Sequence, residues 1–111
     1  MIVSKLDQRV IEGQINGEGK VMTKIEGNPS QEWIKIQKGS IEKYFNVKTK
    51  LPLFVNSNDE WIFDSEQRIV EAKNKAKALD RGWTQADGQI VTWWSKHGFD
   101  TQKFSFEKVL S

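Results

Sequence analysis

Residues 64–82, Asp64 to Gly82, read DSEQRIVEAKNKAKALDRG. Ile69, Ala72, Ala76 and Leu79 recur at intervals of 3, 4 and 3, which puts them on one narrow face at 3.6 residues per turn, with Val70 at its edge. Asp64 stands where an N-cap belongs with Gln67 three residues on, and Gly82 stands where a left-handed C′ residue is wanted. The pattern predicts one amphipathic helix over about 64–81, its alanines allowing close approach to a sheet and Trp61, Phe63 and Trp83 adding bulk at its ends. Everything on either side reads as short strands and turns.

On the N-terminal side, Arg9 to Ile15 and Lys20 to Glu26 flank Asn16-Gly17, a dipeptide that tolerates the positive φ angles of a tight hairpin turn. A second hairpin is expected around Lys38-Gly39, pairing Trp33 with Tyr44 and Lys35 with Glu42. In that register Ile34, Ile36, Ile41, Phe45 and Val47 share one face, which should be buried. Trp33, Lys35, Glu42, Tyr44 and Asn46 share the other. Leu51 to Val55 makes a short strand that Pro52 confines to an edge, and 56–59 reads as a loop. After the helix, a last hairpin should pair Gln89 to Lys96 with Thr101 to Val109, and the adjacent Trp93 and Trp94 must point to opposite faces. No internal repeat or linker is evident. The order predicts an α+β domain: a mainly antiparallel sheet of five to seven short strands with the helix on one face, an OB-like barrel being the alternative.

At 111 residues the chain is expected to fold as one domain, 1–111. It has no cysteine, which removes thiolate chemistry and Cys-based zinc sites. The start, MIVSKLDQRV, lacks the apolar core of a signal peptide, and no apolar run is long enough to span a bilayer, so the expectation is a soluble, cytoplasmic protein with no membrane partner. Asn28 is followed by Pro29 and is no glycosylation acceptor. Charge is segregated: five lysines against one glutamate between Trp33 and Lys50, then four acids and no base from Leu51 to Glu66.

Candidate chemistry dissolves on inspection. Gly13 to Lys20 has the wrong spacing for a phosphate loop, and Val21 stands where a magnesium-binding hydroxyl is needed. Asn56 to Glu60 lacks the glycine and distal glutamate of a calcium loop, and Glu71-Ala72-Lys73 would need a strand to act as a nuclease fragment. His97 is the only histidine and has no nucleophile in sequence context. Asp59, Glu60, Asp64 and Glu66 read as the acidic lead-in to a helix. The expectation is no enzyme, no cofactor and no metal.

Five tryptophans in so short a chain imply exposed rings. Trp33 and Tyr44 beside Lys35 would form a stacking platform, and Lys73, Lys77 and Arg81, spaced by four on the helix, a track for phosphates. These six residues predict a module for single-stranded DNA or RNA. The alternative is a small regulatory or inhibitory protein that docks on a protein partner through the same aromatics, a role compatible with the compact, motif-poor style of phage and mobile-element accessory proteins.

Overall fold

The computed structural model describes residues 1–54 and 59–108. Among these residues the chain forms eleven short strands and no α-helix: β1 (Ile2–Ser4), β2 (Val10–Gly13), β3 (Gly19–Met22), β4 (Trp33–Lys38), β5 (Ile41–Asn46), β6 (Trp61–Phe63), β7 (Ile69–Glu71), β8 (Lys77–Asp80), β9 (Gln89–Ile90), β10 (Thr92–Ser95) and β11 (Phe104–Phe106). One antiparallel sheet runs β11-β1-β2-β3-β9 and the other β10-β8-β7-β6-β5-β4. Single 3₁₀ turns at Pro29–Gln31 and Asp100–Gln102 precede β4 and β11.

The helix expected over 64–81 does not form, so the α+β reading and its OB-like alternative are both replaced by an all-β fold. Asp64 does cap, but it caps a turn. Its carboxylate accepts the N–H groups of Glu66 and Arg68, both at 2.9 Å, and pairs with the Arg68 guanidinium at 2.8 Å. Gln67 inside that turn has φ 67°, a left-handed value that no helix passes through. β-branched Ile69 and Val70 then enter β7, and a second turn, in which Asn74 Oδ1 accepts the Ala76 N–H, leads to β8. The supposed stripe splits accordingly. Ile69 and Leu79 are buried on two strands, whereas Ala72 is half-buried and Ala76 exposed.

The hairpin around Asn16-Gly17 pairs β2 with β3, and Gly17 takes φ 87°. In the β4–β5 hairpin Trp33 opposes Asn46, Lys35 opposes Tyr44, and Lys38 opposes Ile41 across Gly39-Ser40. The expected register is therefore off by two residues, a shift that keeps every side chain on its face. The faces are nonetheless inverted: Trp33 and Tyr44 lie in the core, while Ile34 and Ile36 are half exposed. The expected last hairpin is absent as well, because β10 pairs with β8, β9 with β3, and β11 with β1.

What organises the core is a repeat hidden in the ladders. β11–β1, β4–β5 and β6–β7 each set an aromatic ring opposite a buried polar residue: Phe104 opposite Ser4, Trp33 opposite Asn46, Trp61 opposite Glu71. Two residues before each polar residue stands a fully buried one, Ile2, Tyr44 and Ile69. These six side chains, with Ile11, Leu53 and Leu79, make up most of the main apolar cluster. Burial, with Glu42 beside it accepting its hydrogen bond, pushes the Tyr44 hydroxyl far above its ordinary pKa.

Two of the three units share a further device. Gln31 and Gln102, both fully buried, stand two residues before Trp33 and Phe104. Gln31 accepts the Ile25 N–H and donates to the Thr23 carbonyl; Gln102 accepts the His97 N–H and donates to the Ser95 carbonyl. Each carboxamide thus takes the place of a backbone partner for the loop before its own strand, and a buried amide so paired carries no desolvation deficit. The threefold repetition corrects the reading that the chain has no internal repeat.

Candidate ligand-binding site

A depression at β8 and β10 brings together polar and aromatic side chains, among them the largely buried Asp80 and the exposed Trp83 and Trp94. The ladder sets Ala78 against Trp94, Leu79 against Trp93 and Asp80 against Thr92. Alternation sends Leu79 and Trp93 inward, where Trp93 stacks on Trp61 with ring centroids 3.9 Å apart. Asp80, Thr92 and Trp94 consequently share the outer face. They line a depression of about 340 Å³ with Arg81, Gly82, Trp83, Gln89, Ile90 and His97.

Asp80 is held from three directions. Its Oδ1 accepts the Gly82 N–H at 2.8 Å, and its Oδ2 lies 3.0 Å from Gln102 Nε2 and 3.2 Å from His97 Nε2. The Phe99 N–H donates to His97 Nδ1 at 3.1 Å, which assigns the imidazole proton to Nε2 and makes His97 a donor to the carboxylate. A carboxylate has about four acceptor positions, so three donors leave one for an incoming hydroxyl or amide. Trp94 stands beside it 62% exposed.

Arg81 fixes the next turn. Its guanidinium is fully buried, forms an ion pair with Asp7 and donates to Ser4 Oγ, while Nε and Nη2 donate to the carbonyls of Gly82 and Thr84. One buried cation therefore holds the backbone on both sides of Trp83. Gly82, at φ 77°, supplies the left-handed turn that this requires. The arrangement suits a ligand with hydroxyl groups to bind a carboxylate and a flat C–H surface to lie on indole rings.

Of the six residues singled out from sequence, Arg81 lines the depression as a buried support, Lys77 starts the strand that carries Asp80, and the other four lie elsewhere; the six do not come together. Trp33 is 9% exposed and its indole N–H donates to the Ile11 carbonyl. Tyr44 is fully buried. Neither has a face free for a base or a partner, so the stacking platform does not exist. Lys35 Nζ lies over the Phe106 ring at 5.3 Å and 3.9 Å from Glu42. Lys73 sits in the β7–β8 turn, Lys77 starts β8, and Arg81 is buried, so the phosphate track is dispersed with the helix that defined it. Of the acids before that supposed helix, Asp64 serves its turn and Asp59 pairs with Lys43 at 3.3 Å; positions 56–58 of the oxygen-rich loop fall outside the described residues. Among the described residues no group of three or more metal-ligating side chains occurs, and no helix is long and apolar enough to cross a membrane.

Comparison with known proteins turns on architecture. The chain matches no family profile and no curated sequence. Among solved structures it is similar to the C-half of an earthworm R-type lectin determined in complex with GalNAc, at TM-score 0.74 and 19% identity over 94% of this chain and 93% of that one. It is equally similar, at TM-score 0.74 and 15% identity, to ThreeFoil, a designed threefold-symmetric protein, with 93% of each chain covered. The fold is a β-trefoil. A mosquitocidal holotoxin also matches at TM-score 0.74 and 16% identity; there the aligned part is 16% of a much longer chain. Taken with the burial of Trp33, Tyr44 and Arg81, this architecture overturns the reading of the chain as a single-stranded nucleic-acid module.

Asp80, Trp83, Trp94 and His97 are not among the six residues that the sequence singles out for binding. A signal was present. Gln31-Glu32-Trp33, Asp59-Glu60-Trp61 and Gln102-Lys103-Phe104 are three copies of a polar residue, a charged residue and an aromatic ring, and the third lies just beyond Trp93 and Trp94.

Proposed function

We propose that this chain is a carbohydrate-binding module without catalytic activity, and that it binds a pyranose between Asp80 and Trp94. The observation that carries this reading is a carboxylate immobilised by Gly82, Gln102 and His97 next to an exposed indole on the same face of two paired strands. A pyranose has the complementary surface: a hydroxyl to donate to the remaining acceptor position of the carboxylate, and a patch of axial C–H groups that gains contact and sheds water on an aromatic ring. The trefoil of the earthworm lectin, solved with GalNAc, supports the choice of ligand class.

The test is titration of methyl α-galactoside and of GalNAc, followed by tryptophan fluorescence and by amide shift changes. Binding is expected to perturb the amides of Gly82 and His97, and Trp94→Ala to weaken it by at least tenfold, about 1.4 kcal/mol, without loss of fold. A chain that binds neither sugar, nor any glycan on a broad array, would sink the proposal.

A further inference from the structure

Trp94 is not the only exposed ring at this site. Trp83 and Phe99 are 61% and 60% exposed, and they touch each other, with centroids 5.9 Å apart and planes at 60°. Phe99 also packs on His97, at 5.1 Å. An aromatic surface therefore continues from the imidazole that holds Asp80, through Phe99, to Trp83 on the wall of the depression. Leaving such rings in water forgoes the burial that favours folding, and clustered exposed apolar surface of this kind marks a contact site.

The backbone that carries the two rings is also held in place. The Trp83 backbone is clamped on both sides by the buried Arg81 guanidinium. The Phe99 N–H is bound to His97 Nδ1, and its carbonyl accepts the Gln102 N–H at 3.1 Å as the Asp100–Gln102 turn begins. Rings carried on backbone that is already ordered lose little entropy when a ligand lands on them.

From this we infer that Trp83 and Phe99 form a second subsite, and that the ligand is a glycan of at least two residues. The inference rests on the assignment of the Asp80–Trp94 site to a pyranose. The first residue lies on Trp94 with one hydroxyl at Asp80; the second, joined to it by the glycosidic bond, lies on the Trp83–Phe99 pair. Gln89 and Thr92 line the depression together with Trp83 and Trp94, so the second residue is recognised through its apolar face on the two rings and through those of its hydroxyls that reach these two side chains.

Isothermal titration of the whole chain with methyl α-galactoside, and with a set of disaccharides bearing terminal galactose or GalNAc in α1-3, β1-3, β1-4 and α1-6 linkage, separates the two claims. At least one disaccharide should bind tenfold or more tightly than the monosaccharide. Phe99→Ala should cut that advantage, taken as the ratio of disaccharide to monosaccharide affinity on the same variant, below about threefold, and Phe99→Trp should restore it. Monosaccharide binding with no disaccharide advantage, or an advantage that survives Phe99→Ala, overturns the second subsite and leaves the first standing. Absence of binding by every sugar overturns both. A concentration-dependent dimer that Phe99→Ala abolishes, with disaccharide affinity untouched, assigns the rings to self-association and likewise overturns the inference.

Discussion

The junction between the first unit, which begins with β1, and the second, which begins with β4, and the junction between the third, which begins with β6, and the first are built from equivalent positions with opposite choices of side chain. In the first, Gly13 follows Glu12 at the end of β2 and faces Asn46; a Cβ on Gly13 would fall 2.5 Å from the Asn46 Cγ. In the second, Arg81 follows Asp80 at the end of β8 and reaches Ser4, which is the counterpart of Asn46 in its own ladder. One junction puts nothing at the strand end so that a large amide from the neighbouring unit can enter. The other puts a large cation there and keeps the neighbour small. Both fill the space, but only the second sends a guanidinium onward to clamp the loop that carries Trp83.

The ligand face differs in the same way. Glu12 pairs with Lys20 in the ladder and Val10 with Met22, as Asp80 pairs with Thr92 and Ala78 with Trp94. Yet Glu12 Oε1 is taken by Asn28 Nδ2 and Ser30 Oγ, at 3.2 and 3.0 Å, and a methionine stands where Trp94 would be. In the second unit Asn46 N donates to the Leu51 carbonyl as Ser4 N does to Arg9, which puts Phe54 in the place of the acid. Among the described residues the carboxylate and exposed indole coincide once, so backbone repetition carries the fold, while the site depends on side chains that the repetition leaves free to differ.

The comparison is broken most severely at Arg81. Arg81→Met keeps the length of the side chain and removes its charge, leaving buried Asp7 with Arg9 as its remaining cation and the carbonyls of Gly82 and Thr84 without their donor. Loss of one partner from a buried pair costs about 3 to 5 kcal/mol, to be read from the urea midpoint at constant m. Disaccharide affinity should fall with it, since Trp83 is released. A cost below about 1 kcal/mol would show that the guanidinium is not the clamp described here.

The other junction should respond less, and with a particular coupling. Gly13→Ala forces a Cβ against an Asn46 amide that is fixed by bonds to the Ser30 carbonyl and to the N–H groups of Lys48 and Thr49, so overpacking of about 1 to 3 kcal/mol is expected. Asn46→Ser, which copies the small partner of the other junction, carries its own cost. In that background, however, Gly13→Ala should be nearly neutral. Additive effects in the double variant would mean the two residues do not compete for one space.

Less of this was legible in the sequence than its regular patterns promise. Asn16-Gly17 placed a turn because its conformational demand is local. The β4–β5 residues sorted onto two faces correctly because alternation is local too, but which face is buried depends on the rest of the fold; the four aliphatics and Phe45 that looked like core lost to Trp33 and Tyr44, which close a threefold cluster. Residues 64–82 matched a helical period by coincidence: two short strands and two turns placed Ile69 and Leu79 ten residues apart, near three helical turns, and the left-handed Gln67 leaves no mark in the pattern. The site was harder still. Asp80 and Trp94 come together only through the β8–β10 ladder, and a buried arginine beside them looks in sequence like one more surface charge.

The smallest effect expected is an acid-side change in stability that again separates the two junctions. Burial alone would raise the Asp7 pKa, but hydrogen bonds from Arg81 and from Arg9 outweigh it, and the carboxyl titrates below its ordinary value. A depressed folded-state pKa stabilises the fold fully above the unfolded value, near 4, and that contribution is lost as pH falls through the lower, folded value. The described part of the Gly13–Asn46 contact contains no titrating group. Stability of the wild-type chain should therefore fall as the pH drops below the ordinary carboxylate value near 4, and Asp7→Asn should flatten that fall, whereas Gly13→Ala should lower stability equally at pH 7 and at pH 3. Urea midpoints across this range decide it: an acid slope unchanged by Asp7→Asn would mean that other carboxylates govern acid unfolding and that the Arg81–Asp7 pair holds the loop without tuning the proton.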